Sequence, residues 1–289
     1  MLTTLQLRSP AKVNIGLQIR DRRPDGYHTI HTIFQELEFH DTVRMTIRDS
    51  GCRITASVDW VPTDESNICC RAVRVLKERY AGVAGIRIEL EKQIPAGAGL
   101  GGGSGNAAAV LKGLNHLYDL RLSVPELERT AAAVGADVPF FIRGGTQVGD
   151  GIGDELTPLS VSGPWTFLLI VPALRINTAW AYGQVKKNLN GPRSRINFDS
   201  FFQGANPSWE LFENDFERIV IPAYPEIGEI KQRLLAAGAV YASLSGSGST
   251  VFGVFDDEAG AMLAESDFKK SYQTILTHPA ATVTTTSFA

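Results

Sequence analysis

Cysteine is scarce in this 289-residue chain, three in all, and two of them, Cys69 and Cys70, are neighbours. An odd number cannot all pair within the chain, and adjacent cysteines build neither a disulfide framework nor a Cys-x-x-Cys metal site. A reduced, cytoplasmic setting is the compartment this predicts. Charge of one sign is lacking too: 28 basic and 31 acidic residues give a formal net charge of −3, which leaves no broad footprint for nucleic acid, although a small anion can still meet a local positive site. No apolar run reaches the roughly 18 residues of a membrane span, and Met1 to Pro10 lack the apolar core of a secretory signal. Nucleic-acid and membrane partners are therefore not expected. Neither a repeat of 20 to 50 residues nor a low-complexity linker is present. His31, His40, His116 and His278 show no metal-ligand spacing, so no protein metal site is expected.

What is present reads as a folded globular chain, with 44% hydrophobic and 20% charged residues. Val13, Ile15, Leu17 and Ile19 alternate with polar or small residues, a period of two that predicts a strand with Lys12 and Asn14 pointing the same way. The turn chemistry of Pro24-Asp25-Gly26 follows, and Tyr27 to Phe39 reads as a second strand. A helix is expected over Asn67 to Tyr80 and a half-exposed strand over Ile86 to Leu90. A second helix should run to about Tyr118, with Ser104 or Asn106 available as its cap. Ser123 and Glu126 form a capping box around Pro125, opening a helix that Gly135 ends. Gly144 to Pro164 is glycine-rich with few large apolar residues, and a buried strand starts at Phe167. The domain boundary is placed near Leu159, dividing residues 1–159 from 160–289, and the second half reads as α+β, with a helix over Pro225 to Ala237 and a strand over Val251 to Phe255.

The most informative segment is Pro95-Ala96-Gly97-Ala98-Gly99-Leu100-Gly101-Gly102-Gly103-Ser104-Gly105-Asn106. Its glycines remove the Cβ atoms that keep an anion from backbone amides, and the helix behind it supplies unpaired N–H groups and the positive end of its dipole. A strand, then this loop, then a helix is an arrangement for a triphosphate; the bland alternative is a flexible surface turn. Gly97, Gly99 and Gly102 also satisfy G-x-G-x-x-G, but Asp119 falls at a helix end rather than after a second strand, which argues against a dinucleotide fold. Neither the G-x-x-x-x-G-K-[ST] loop nor the H-R-D and D-F-G pair of protein kinases occurs. A second glycine loop, Ser245-Gly246-Ser247-Gly248-Ser249, precedes a strand and suits either tight packing or ligand contact.

Pro10 to Asn14, Pro95 to Ala108 and Leu244 to Phe255 resemble the three motifs of the GHMP kinases. Within that family, Arg22 to His28 and Gly135 to Phe141 are similar to a branch that acts on a cytidine-diphosphate-linked polyol. Gly105 stands where that branch usually has a second serine. The resemblance implies a two-domain α+β fold, its N-terminal half like ribosomal protein S5 domain 2 and its C-terminal half ferredoxin-like, with the active site in the interdomain cleft. It implies transfer of the γ-phosphoryl group of ATP, with Mg²⁺ on the phosphates, to a polyol hydroxyl.

On that resemblance the residues take roles. Pro95 to Asn106 bind ATP phosphates, with Ser104 either a cap or a neighbour of phosphate and magnesium. Asp137 acts as general base and Lys12 as the ammonium that keeps it ionised. Asn14, Tyr27 and His28 face the substrate, Tyr27 offering a stacking surface and His28 a hydrogen-bonding edge to cytosine. Tyr182 is a candidate for the opposing aromatic face, Gly246, Ser247 and Gly248 for the acceptor's phosphates or for shaping the first loop, and Asn67 for the adenine side. Other acceptors of the family, mevalonate, homoserine or a sugar, stay open, as does a regulator that binds nucleotide without catalysis.

Overall fold

The computed structural model describes residues 3–160, 163–188 and 208–280; the expected C-terminal half, 160–289, thus includes stretches outside the described residues. In chain order the strands and helices are β1 (Thr4–Arg22), β2 (His28–Arg48), β3 (Gly51–Ala56), α1 (Ile68–Arg79), β4 (Gly85–Glu91), α2 (Gly102–Leu117), α3 (Val124–Ala132), α4 (Val138–Arg143), β5 (Thr146–Asp150), β6 (Glu155–Pro158), β7 (Thr166–Val171), α5 (Thr178–Asn188), α6 (Glu217–Ala223), α7 (Pro225–Ala236), β8 (Tyr241–Leu244), β9 (Val251–Phe255), α8 (Glu258–Phe268) and β10 (Gln273–Thr277). Two compact units interleave in sequence: one holds residues 1–11, 39–96 and 101–144, the other 12–38, 97–100 and 145–289. The long strands β1 and β2 each contribute residues to both.

In the first unit β3 pairs parallel with β4, and β4 antiparallel with Thr42–Arg48 of β2. Ile86, Ile88 and Leu90 point inward while Arg87 and Glu89 do not, the alternation expected of a half-exposed strand. Helix α2 runs through the middle of this unit, packed by α1, α3 and α4. Ala107, Ala108, Ala109, Val110 and Leu111 are all fully buried, so small side chains let its neighbours approach from several sides. Asn67 caps α1 by accepting the Cys69 N–H at 2.9 Å. The Glu126 carboxylate accepts the Ser123 hydroxyl at 2.5 Å and the Ser123 N–H at 2.8 Å, the expected capping box at the start of α3, and these contacts, the hydroxyl first, hold it below the usual carboxylate range. Burial pushes the Cys69 thiol up to about 12, and the three cysteines are free thiols.

The second unit carries a four-stranded antiparallel sheet, β10-β7-β9-β8, with α7 against β8 and β9 and α8 against β7 and β10. Its core joins Leu17 and Ile19 of β1 to Leu168, Ile170, Val251 and Phe255 of the sheet and to Phe216, Ile230 and Phe268 of the helices. Thr32–Gln35 of β2 pair with β5, which turns back into β6. That hairpin occupies the glycine-rich stretch in which sequence patterning shows no element. Gly149 explains the missing signal: a Cβ there would lie 2.5 Å from the Phe34 ring, so the cross-strand packing comes from β2 and not from β5 itself.

Candidate active site

The first glycine loop leaves Ile94 and ends in helix α2, but the helix begins earlier than expected. Gly101, at φ 71°, is the N-cap and Gly102 the first helical residue, so Ser104 and Asn106 lie inside the helix and cap nothing. A left-handed residue turns the chain into the helix where a Ser or Asn would otherwise do so with its side chain, and the first-turn amides carry no side-chain cap. Ala98 and Leu100 are buried, whereas Ala96, Gly97 and Gly103 are exposed and Pro95 and Ser104 half-buried. The loop is therefore pinned by two apolar side chains and offers backbone to solvent on either side of them, at Ala96 and Gly97 and again at Gly103. Its Leu100 carbonyl accepts the Lys12 N–H at 3.0 Å, tying it to β1.

Asn106 turns its amide inward, donating to Ser9 Oγ at 2.8 Å and to Asp41 at 2.9 Å and accepting from Lys92 Nζ at 2.9 Å. Lys92 also pairs with the fully buried Asp41, whose other oxygen takes the Gln93 and Ile94 N–H groups. This network braces the strand that feeds the loop. Gly105 belongs to the same packing: a Cβ there would stand 2.9 Å from the Pro10 carbonyl and from Ser9 Oγ, so the close approach of α2 to β1 accounts for glycine at this position.

The second glycine loop lies against the first. Ser245 Oγ donates to the Gly99 carbonyl at 2.9 Å, the Thr250 N–H donates to the Ala98 carbonyl at 3.2 Å, and a Cβ on Gly99, at φ +80°, would lie 2.1 Å from the Ser245 carbonyl. Gly246 faces β1: a Cβ there would be 3.5 Å from Asn14 Oδ1 and 3.8 Å from Lys12 Nζ. Gly248 packs on Ile176 and Leu244, and Ser247 Oγ bonds Thr178 Oγ1 at 2.8 Å. On β1, Lys12 and Asn14 do point the same way, Lys12 Nζ donating to Asn14 Oδ1 at 2.7 Å over the Phe34 ring, whose centroid is 5.4 Å away.

Asn214 is a residue that sequence reasoning missed. Its buried amide donates to the Leu244 and Gly246 carbonyls at 2.7 and 2.8 Å, holding the second loop from behind, while its backbone bridges to Leu17 of β1. The available signal was Glu213-Asn214-Asp215 standing between Phe212 and Phe216, three polar residues inside an apolar run. Tyr241 is another: burial holds its phenol protonated, and its O–H donates to the Phe212 carbonyl at 2.7 Å while its oxygen takes the Gly16 N–H at 3.2 Å.

Tyr27 leaves the Pro24-Asp25-Gly26 turn, whose Asp25 accepts the Tyr27 N–H at 3.1 Å, and the residue is 61% exposed, which makes its ring an accessible stacking face. His28 and Tyr182 stack on one another, ring centroids 5.3 Å apart and 14° from parallel, and Tyr182 packs edge-on against Phe216. Tyr182 thus joins His28, while Trp180 turns away to Tyr224. In the first unit, half-buried Asp137 occupies the N-cap position of α4 without capping it. Asn67, the candidate for the adenine side, accepts the Cys69 N–H as the cap of α1 and donates to the Pro62 carbonyl. Among the described residues no three His, Cys, Asp or Glu side chains gather as a metal site, and no helix is long and apolar enough to cross a membrane.

Comparison with known proteins bears on the whole chain. Residues 67–145 match the family model of the GHMP kinases N terminal domain, and residues 193–273 that of the GHMP kinases C terminal. A 4-diphosphocytidyl-2-C-methyl-D-erythritol kinase of Chlorobium luteolum is 43% identical over 283 residues, 96% of this chain and 98% of that protein. One from Geobacter sulfurreducens is 42% identical over 262 residues, covering 90% and 93%. The crystal structure of a 4-(cytidine 5'-diphospho)-2C-methyl-D-erythritol kinase superposes with a TM-score of 0.82 at 32% identity, over 96% of this chain and all of that one. A homoserine kinase from Cytophaga hutchinsonii shares the fold at a TM-score of 0.70 and 20% identity, with 96% of each chain covered.

Proposed function

The chain belongs to the GHMP kinase family, and from that premise we propose that it transfers the γ-phosphoryl group of ATP to the 2-hydroxyl of 4-diphosphocytidyl-2-C-methyl-D-erythritol, a step toward isoprenoid precursors by the non-mevalonate route. The observation that carries this reading is near-full-length similarity, 43% identity over 96% of the chain, to a kinase named for that acceptor. The exposed Tyr27 within the Arg22–His28 segment supports it, since mevalonate, homoserine and sugars carry no pyrimidine to stack.

Phosphoryl transfer asks mainly for positioning and charge neutralisation. Pro95 to Asn106 hold the ATP phosphates through exposed backbone and the uncapped first turn of α2, the Asn106 side chain itself being turned inward; Mg²⁺ bound to those phosphates would neutralise their charge, and Ser104 would offer it a hydroxyl. The acceptor oxygen bonds to the γ-phosphorus as the bond to ADP breaks; Asp137 takes the hydroxyl proton, and Lys12, steadied by Asn14, stabilises the negative charge that develops. Tyr27, His28 and Tyr182 hold the cytidine, and Gly246 to Gly248 the side of the acceptor's phosphates. The two functional halves meet in sequence near Leu159, and the reaction runs in the cytoplasm, consistent with three free thiols.

Purified protein should consume ATP with 4-diphosphocytidyl-2-C-methyl-D-erythritol at a kcat/KM far above that for mevalonate, homoserine or sugar acceptors. A preference for any of the latter would overturn the substrate assignment. Tyr27→Ala should raise KM for the cytidine acceptor about tenfold and leave KM for ATP near its starting value; an unchanged acceptor KM would remove Tyr27 from the site.

A further inference from the structure

We propose that Thr32, a residue with no role in the account above, is a positioning residue that fixes the orientation of the Asn14 amide and through it the Lys12 ammonium. The proposal rests on the reading that Lys12 serves phosphoryl transfer. Lys12, Asn14 and Thr32 are 4%, 1% and 0% exposed, so their polar atoms need hydrogen-bond partners within the protein. The Thr32 hydroxyl has a single proton. It sits 2.6 Å from the Gly16 carbonyl and 3.4 Å from that of Ile33, and the shorter contact takes it. A carbonyl cannot donate, so the Thr32 oxygen is left as acceptor toward Asn14 Nδ2 at 3.1 Å. That turns the amide oxygen toward Lys12 Nζ, 2.7 Å away. The reversed amide would set N–H donors against an ammonium, so both ends of the chain demand the same orientation.

Gly16, which sets the direction, is itself held. Its φ is +63°, its N–H donates to Tyr241, and the Tyr241 O–H donates to the Phe212 carbonyl. The donors therefore run one way, from Lys12 through Asn14 and Thr32 to the Gly16 carbonyl, then from the Gly16 N–H through Tyr241 to Phe212. Bonds aligned in one direction in a buried setting reinforce one another, and removal of one link leaves a buried donor without its acceptor.

Two variants remove the hydroxyl: Thr32→Val keeps the shape, and Thr32→Ala adds no methyl against the Gly16 carbonyl. Both should lower kcat by about tenfold or more, on the scale of a buried donor left unsatisfied, while KM for ATP stays within about twofold. Thr32→Ser should restore most of kcat. The second readout needs no turnover: in protein labelled with ¹⁵N-lysine, the Nζ resonance assigned to Lys12 should shift in Thr32→Val and Thr32→Ala and return in Thr32→Ser. An unmoved Lys12 resonance in a folded hydroxyl-less variant overturns the proposal, whatever the acceptor. A wild-type protein that fails to phosphorylate the cytidine acceptor overturns the functional reading instead, and the resonance still decides the role of Thr32.

Discussion

The two glycine-rich loops have similar composition and different physical jobs. In the first, Gly97 opens onto free space and Gly103 nearly so, a Cβ meeting nothing within 4 Å at Gly97 and only Ile68 at 3.8 Å at Gly103. In the second, Gly248 is pressed on Ile176 and Leu244, and Gly246 faces Asn14 and Lys12. At Gly97 and Gly103 of the first loop glycine leaves backbone bare, and in the second loop it lets chain segments come close. The two meet at Gly99, where the first loop rests on the Ser245 carbonyl of the second. Glycine richness alone therefore does not tell a bare backbone from a close-packed one; the space beyond the missing Cβ does.

Substitutions at four positions would break or sharpen this contrast. Gly99→Ala should have the largest effect, because the new Cβ meets a backbone carbonyl at 2.1 Å in a left-handed conformation. A loss of about 3 kcal/mol of stability is expected, measured by denaturant unfolding, with activity lost alongside it. Gly105→Ser should cost about 1–3 kcal/mol, since the Pro10 carbonyl and Ser9 Oγ, each 2.9 Å from the added Cβ, must yield. Gly97→Ala sharpens the contrast most: with nothing within 4 Å, stability should fall by only about 1 kcal/mol for the positive φ, while KM for ATP rises several-fold. If Gly97→Ala left ATP binding untouched, the first loop would be a packing element like the second. Ser247→Ala, which removes the bond to Thr178, should cost about 0.5–1.5 kcal/mol and raise KM for the acceptor more than KM for ATP.

Much of the scaffold is legible in the sequence. The alternation that sets Lys12 beside Asn14, the strand–loop–helix order around Pro95 to Asn106 and the Ser123–Glu126 box all depend on residues near one another in the chain, and the structure carries each. The cap of α2 is a miss with a local cause, since Gly101 in a left-handed conformation does what Ser104 or Asn106 was expected to do. The hairpin of β5 and β6 is hidden because its partner ring, Phe34, lies more than 100 residues away. Thr32 and Tyr241 are invisible for a related reason, and the polar break around Asn214 gives no partner for it. Each acts by a hydrogen bond to a main-chain carbonyl of a segment distant in sequence, and carbonyls carry no residue signature.

The central claim is most directly tested by following ATP consumption with 4-diphosphocytidyl-2-C-methyl-D-erythritol for the wild-type protein beside Asp137→Asn. The account predicts ADP and phosphorylated acceptor in equal amounts from the wild type, and a variant that folds and binds both substrates but turns over about 10²- to 10⁴-fold more slowly. Full turnover by Asp137→Asn, or a wild type that leaves the acceptor unphosphorylated, would contradict it.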